Sequence, residues 1–400
     1  MRKNMKKGLS ILLCLCLMVS LLGTLAFAAD SNETGKPLEI TFLGTSVTSG
    51  FYLEQKGSNW NTDDWRIITK EWKEELHGSS ETTRMCFHPF DVAVPGSAPR
   101  LLSEQLGISF DNNRNDRFHN MCRTGLRTTE ALWLLDENAP VKQDWISEAY
   151  LTEGHYSYMS EAEVAALRDS CTDWIKNSDI VVVELGSNDT MVTVIDNLFD
   201  SRGYLAKYSK RLNMNKLYEE LKTIAEKTGS LSAVMIRALN AAKTVGELPL
   251  MTTAMTKALV EGMTMFVTNY GRIIARIYEL NPDATVVALG TFNPLSHINL
   301  SDKIGLSAGM ILDSGIKMTN LQIKTLAPYA FSSRYDYRYV DISGIGSKEN
   351  IQGISKNLLE LIKSGALSSF DASKTGPIHP NENGHQYICD QIKKALGDYF

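Results

Sequence analysis

Cysteine is scarce in this chain, with 6 in 400 residues. Cys14 and Cys16 sit inside an N-terminal apolar run. Cys86, Cys122, Cys171 and Cys389 are scattered, with no CxxC and no His-rich spacing beside them. That pattern gives no ligand set for a structural zinc and calls for no metal. Buried free thiols and a single disulfide remain as alternatives, and the sequence cannot choose among the pairings. Charge of one sign is also lacking. The 41 Lys and Arg stand against 46 Asp and Glu, a net charge of −5, so the chain has no electrostatic footprint for nucleic acid. After the first 28 residues no apolar run is long and uninterrupted enough to span a bilayer, which argues against stable membrane insertion. Internal repeats and low-complexity tracts are missing too, which excludes solenoids and arrays.

What is present begins with residues 1–28. Arg2, Lys3, Lys6 and Lys7 precede an apolar stretch over 9–25, and Ala26-Phe27-Ala28 reads as a small-x-small cleavage site. This is the pattern of a bacterial Sec signal peptide, with a retained anchor as the alternative. Cys14 and Cys16 lie mid-run rather than at its end, so lipid attachment is not expected. Cleavage removes four basic residues and no acidic one, taking the formal charge from −5 to −9. The expected product is secreted or extracytoplasmic.

The remainder, 36–400, alternates short apolar runs with helical patterns, which points to an α/β fold with a parallel sheet. Strands are expected at 38–43, 117–122, 180–185, 285–289 and 339–342. The Ile-Val-Val-Val of the third marks a strand buried on both faces. Asn281-Pro282-Asp283 breaks a long preceding helix. A closing helix over 384–396 carries Tyr387, Ile388, Ile392 and Leu396 at helical spacing. Two tracts look like insertions, at about 51–95 and 192–256. The second is helical in pattern and holds Met214, Met235, Met251 and Met255; it reads either as extra helices with their own core or as an adaptable apolar cap.

Four short blocks carry the chemistry. The first three follow expected strands, where sites form in parallel α/β sheets. In Gly44-Thr45-Ser46-Val47-Thr48-Ser49-Gly50, a serine on a tight turn projects its hydroxyl and its own N–H toward a cleft. The spacing is not GxSxG, because position 48 is Thr. In Arg123-Thr124-Gly125-Leu126-Arg127-Thr128-Thr129, Gly125 offers an unobstructed N–H, and Thr128 or Thr129 is expected to cap a helix. In Gly186-Ser187-Asn188-Asp189, the Asn188 amide is a neutral donor suited to an oxyanion, or equally an N-cap. In Ile378-His379-Pro380-Asn381-Glu382-Asn383-Gly384-His385, His379 is a candidate general base on a loop stiffened by Pro380, and His385 reads as structural.

The order Gly-x-Ser, Gly, Gly-x-Asn-Asp and a late His-Pro resembles the SGNH hydrolase (GDSL-like esterase/lipase) family. The tract 97–107 is similar to the helix before that family's second strand, and 281–294 to its fourth strand with flanks. The resemblance implies a three-layer α/β/α, flavodoxin-like fold with a five-stranded parallel sheet plus the helical insertion. It implies Ser46 as nucleophile and His379 as its base. The oxyanion hole would come from the N–H groups of Ser46 and Gly125 and the Asn188 side chain, with no cofactor.

Two positions depart from the family pattern. Its first block reads Gly-Asp-Ser, and Thr45 stands here in place of the acid. The triad acid belongs three residues before the histidine, where this chain has Gly376. A backbone carbonyl near Gly376 or the carboxylate of Asp371 could orient the imidazole, or the site is impaired. The expected activity is hydrolysis of a carboxylic ester in a small molecule, glycan or lipid. Export and the Trp- and Asn-rich stretch 57–65 suggest a carbohydrate or cell-wall acetyl esterase. The Met-containing tract suggests a lysophospholipase or short-chain lipase. A glycan- or cell-wall-binding module that lost catalysis, and acyl transfer to an acceptor other than water, are the competing expectations.

Overall fold

A computed structural model describes residues 37–50, 53, 93–111, 114–123, 125–136, 138–139, 161–193, 223, 248–293, 307–326, 334–346 and 379–400. The chain divides into two units, Met1–Pro37 and Leu38–Phe400, and the architecture below belongs to the second. The expected leader 1–28, Cys86, Asp371, Gly376 and most of the tracts 51–95 and 192–256 lie outside the described residues.

In chain order the elements are β1 (Ile40–Gly44), a one-turn helix α1 (Ser46–Ser49), α2 (Ala98–Gln105), β2 (Phe118–Asn120), α3 (Thr128–Leu135), α4 (Glu161–Asn177), β3 (Ile180–Glu184), α5 (Leu248–Leu280), β4 (Thr285–Leu289), α6 (Ser307–Leu321), β5 (Tyr337–Val340) and α7 (Glu382–Ala395). The five strands form one sheet in the order β2-β1-β3-β4-β5, and every neighbouring pair is parallel. The fold is therefore α/β with a five-stranded parallel sheet, in a doubly wound order whose direction reverses between β1 and β3.

Period-2 alternation sends successive strand residues to opposite faces. Leu43, Val181, Val183, Val286 and Ala288 pack with Leu132, Cys171, Ile175, Phe266, Ile273 and Ile277 on one side. Ile40, Phe42, Ile180, Val182, Val287 and Leu289 pack with Ala98, Leu102, Ile388 and Ile392 on the other. Helices thus cover both faces, which explains why β1, β3 and β4 are buried along their whole length and nearly all apolar. Cys122, Cys171 and Cys389 are all buried.

β5 lies at the sheet edge, and it starts two residues before the expected 339–342. Its sequence, Tyr-Arg-Tyr-Val, is amphipathic rather than apolar. The Tyr337 hydroxyl donates to the Ile323 carbonyl at 2.8 Å, and Arg338 pairs with Asp336 and Asp398. α5 begins at Leu248, inside the tract 192–256, and runs 33 residues to Leu280. Asn281 then ends it, donating from Nδ2 to the carbonyls of Ile175 and Ser178 at 3.0 and 2.7 Å. α7 opens at Glu382, because the Asn381 side chain accepts the Gly384 N–H at 3.0 Å as an N-cap. No described helix is long and apolar enough to cross a membrane.

Candidate active site

β1 and β3 end side by side, with Gly44 in register with Glu184. The chain leaves β1 through Thr45, whose side chain accepts the Val47 N–H at 3.2 Å and so caps the single turn of α1. Ser46 is the first residue of that turn. Gly44 has to be glycine because a Cβ there would crowd Thr48 and come within 3.1 Å of the Cys122 sulfur. The turn is packed from below as well: Val47 is buried, and Ser49 donates its hydroxyl to the Ser46 carbonyl at 3.2 Å.

His379 reaches this turn from the other end of the chain. Its Nε2 lies 2.8 Å from Ser46 Oγ, and both residues are nearly buried, at 4% and 6% exposure. With the imidazole proton on Nδ1, Nε2 accepts the Ser46 hydroxyl proton, the geometry a general base needs. Asp371 and Gly376, the positions in question for orienting Nδ1, are outside the described residues.

The second and third blocks meet each other across the carboxyl ends of β2 and β3. Gly125 has φ +77°, a left-handed conformation suited to glycine. Asn188 opens a π-helical turn, Asn188–Val192, and its Nδ2 donates to the Leu126 carbonyl at 3.0 Å. One amide proton is thereby spent on orienting the side chain; the other is available for a ligand. Thr128 and Thr129 do not cap α3 as expected. Arg127 occupies the cap position, with its N–H donating to Glu130 at 3.2 Å. The helix start is instead met by Asp189, whose carboxylate accepts the Thr128 N–H at 3.1 Å and the Thr128 hydroxyl at 2.5 Å. A carboxylate satisfies an unpaired N–H and suits the positive end of the helix dipole better than a hydroxyl does. Thr129 accepts instead from Asn269 Nδ2 of α5 at 3.0 Å.

No family model and no curated protein matches this sequence. Solved structures resemble it loosely. The chain is similar to the lipase Lip_vut3 from a goat rumen metagenome (13% identity, TM-score 0.37, covering 90% of this chain and 97% of that one). It is similar to an extracellular lipase from Streptomyces rimosus (12%, 0.39, 90% and 99%). It is also similar to phospholipase A1 from Streptomyces albidoflavus (12%, 0.38, 90% and 100%). Likenesses at this level leave the site geometry to carry the function.

Electrostatically the site is a buried, carboxylate-rich floor. Burial pushes Glu184 up from an ordinary 4.5 to about 7, against hydrogen bonds from Thr45, Thr48 and Ser187 that favour its charged form. Burial likewise raises Asp189 to about 6 against its bonds from Thr128. The Cys122 thiol is raised to about 12 by burial and accepts the Thr48 hydroxyl at 3.2 Å, so it is no nucleophile. His385 is lowered to about 3 by burial and by His379; its Nδ1 accepts the Ala98 N–H at 3.3 Å, tying α7 to the start of α2. Among the described residues no group of three or more His, Cys, Asp or Glu is arranged to hold a metal ion. Glu184 was not a candidate on sequence grounds. Its one signal is a carboxylate closing an otherwise apolar Ile-Val-Val-Val run.

Proposed function

We propose that the protein is a serine esterase of the SGNH type that hydrolyses carboxylic esters outside the cytoplasm. The observation that carries this reading is the buried pair His379 Nε2–Ser46 Oγ at 2.8 Å, at the carboxyl end of a parallel sheet. A serine and an imidazole so close, 333 residues apart in the chain, meet the first geometric demand of an activated nucleophile.

In this mechanism the Ser46 hydroxyl attacks the ester carbonyl while His379 takes its proton. The negative charge that develops on the carbonyl oxygen is met by the N–H groups of Ser46 and Gly125 and by the free amide proton of Asn188. Collapse expels the alcohol, which receives the proton from His379. Water, deprotonated by His379, then attacks the acyl group on Ser46, and return of the proton frees the serine. No cofactor takes part.

The test is hydrolysis of p-nitrophenyl acetate, butyrate and octanoate by the wild-type protein beside Ser46→Ala and His379→Ala. Each variant is expected to fall by about 10⁴-fold or more in kcat, since members of such a pair act as a unit. The chain-length profile separates an acetyl esterase from a short-chain lipase or lysophospholipase. An added alcohol acceptor reports acyl transfer. Wild-type turnover no faster than Ser46→Ala on every ester, glycan acetates included, overturns the reading in favour of a binding module.

A further inference from the structure

The Ser46–His379 pair leaves a buried carboxylate beside it unused. Glu184 ends the central strand β3 and is 1% exposed. Its Oε2 accepts the Thr45 N–H at 3.0 Å and the Thr45 hydroxyl at 2.5 Å, and at 3.4 Å it shares with the Cys122 sulfur the one proton of the Thr48 hydroxyl. The Thr45 hydroxyl works in both directions, donating to Glu184 and accepting from Val47 N–H. Residues 45, 47 and 48, on both sides of Ser46, are therefore bound to one carboxylate directly or through one hydroxyl. The other oxygen, Oε1, takes the Ser187 hydroxyl at 3.5 Å, and Ser187 precedes Asn188.

A leucine at this position would extend the apolar strand without the cost of burying a charge. The compensation found here is not spread around the strand. Among the described residues, every hydrogen bond the Glu184 carboxylate accepts comes from the turn carrying the nucleophile or from the turn carrying the candidate oxyanion donor.

We infer that Glu184 is a positioning residue that clamps the Ser46 turn and couples it to the Asn188 turn, so that nucleophile and oxyanion donor are held as one unit. Its catalytic meaning rests on the esterase reading above; the clamp itself rests on hydrogen-bond geometry alone. Glu184 touches neither Ser46 Oγ nor a substrate, so it acts through Thr45, Thr48 and Ser187. Removing it should slow acylation without weakening substrate binding, because the turn would sample positions from which attack is unproductive.

The experiment uses the full chain and the variants Glu184→Leu and Glu184→Gln. Glutamine keeps an acceptor for Thr45 and drops the charge; leucine removes both. Two readouts are taken: the rate of Ser46 labelling by a fluorophosphonate probe, together with kcat and KM on p-nitrophenyl butyrate, and hydrogen exchange of peptides covering 44–50 and 285–289. Glu184→Leu is expected to label at least ~10-fold more slowly, the effect of losing a hydrogen bond to a charged group, with KM within about twofold. Glu184→Gln should fall between it and wild type. Protection should drop in 44–50 and persist in 285–289. Wild-type labelling rates in both variants overturn the inference, as does equal loss of protection in the two peptides, which would mark a merely structural residue. If the leucine variant does not fold, the glutamine variant decides by the same two readouts. A wild-type protein that never labels at Ser46 sinks the esterase reading instead, and the clamp then stands or falls on exchange over 44–50.

Discussion

Glutamine at position 184 makes a quantitative claim on stability as well as on rate. The folded protein holds Glu184 at about 7 against 4.5 for an ordinary glutamate, with burial as the main cause. A raised carboxyl means that folding favours the neutral acid. Its contribution to stability is thus complete below about pH 4.5 and is lost as the pH rises through about 7. Between pH 5 and pH 8 the loss amounts to between about 2 and 3 kcal/mol. Asp189, at about 6 against 3.8, titrates earlier and loses between about 1 and 2 kcal/mol over the same interval. His385, held down to about 3, works in the opposite sense below about pH 6.5, because the unfolded chain gains a proton that the folded one refuses. Absolute stability against pH therefore mixes opposed terms, but differences between variants cancel what they share. The facing titratable groups, Cys122 and Tyr270, are both raised by burial and stay neutral throughout. The assay is urea unfolding at pH 5 and pH 8 for wild type, Glu184→Gln and Asp189→Asn, with linear extrapolation. Relative to wild type, the glutamine variant should gain between about 2 and 3 kcal/mol on going from pH 5 to pH 8, and the asparagine variant roughly half of that. A difference that stays flat within about 0.5 kcal/mol for both variants, or that moves the other way, refutes the account of these two carboxyls as neutral-favouring buried acids.

Two further outcomes follow from close contacts around the same turns. Gly262→Ala in α5 should raise stability by about 1 kcal/mol if helix propensity decided it. A Cβ there would instead overlap the Asp189 carbonyl and sit 3.2 Å from Thr190 Cα, so a net loss of about 2 kcal/mol in urea unfolding is expected, and a gain would refute the close packing of α5 on that turn. Thr45→Asp should cost at least about 2 kcal/mol at pH 8, because it brings a second carboxylate against Glu184, and most of that loss should vanish in the double variant with Glu184→Gln. Additive effects of the two substitutions would show that the sites do not share the charge.

The parts of the fold legible in the sequence are those whose burial is uniform. β4 lies at 285–289 as expected, and β1 and β3 within two residues of expectation, because strands covered on both faces are written as unbroken apolar runs. β5 was displaced because an edge strand with paired tyrosines and an arginine carries no such run. The start of α5 falls inside the tract 192–256: Pro249 suits a first helical turn, and propensity and periodicity beyond it cannot tell a core helix from an added one. The second block was misread at Thr128 for a different reason. Cap rules consider residues adjacent in sequence, and the group that meets this helix start, Asp189, is 61 residues away.

Thr45 and Glu184 illustrate what one-dimensional reading leaves out. Compared with the family pattern, Thr45 is a missing charge, and by itself it says only that a hydroxyl replaces a carboxylate. In the folded chain the carboxylate is still there, 2.5 Å from that hydroxyl, supplied by the neighbouring strand. A threonine is what such a neighbour requires. It donates one proton to Glu184 and still accepts the Val47 N–H, whereas an ionised aspartate has no proton to give and would repel the charge it faces. Thr45 and the strand glutamate thus form one solution to holding the Ser46 turn. Neither half has a signature of its own: one reads as a loss at a motif position and the other as the polar end of a buried strand. Only the parallel register that sets Gly44 beside Glu184 makes them a pair.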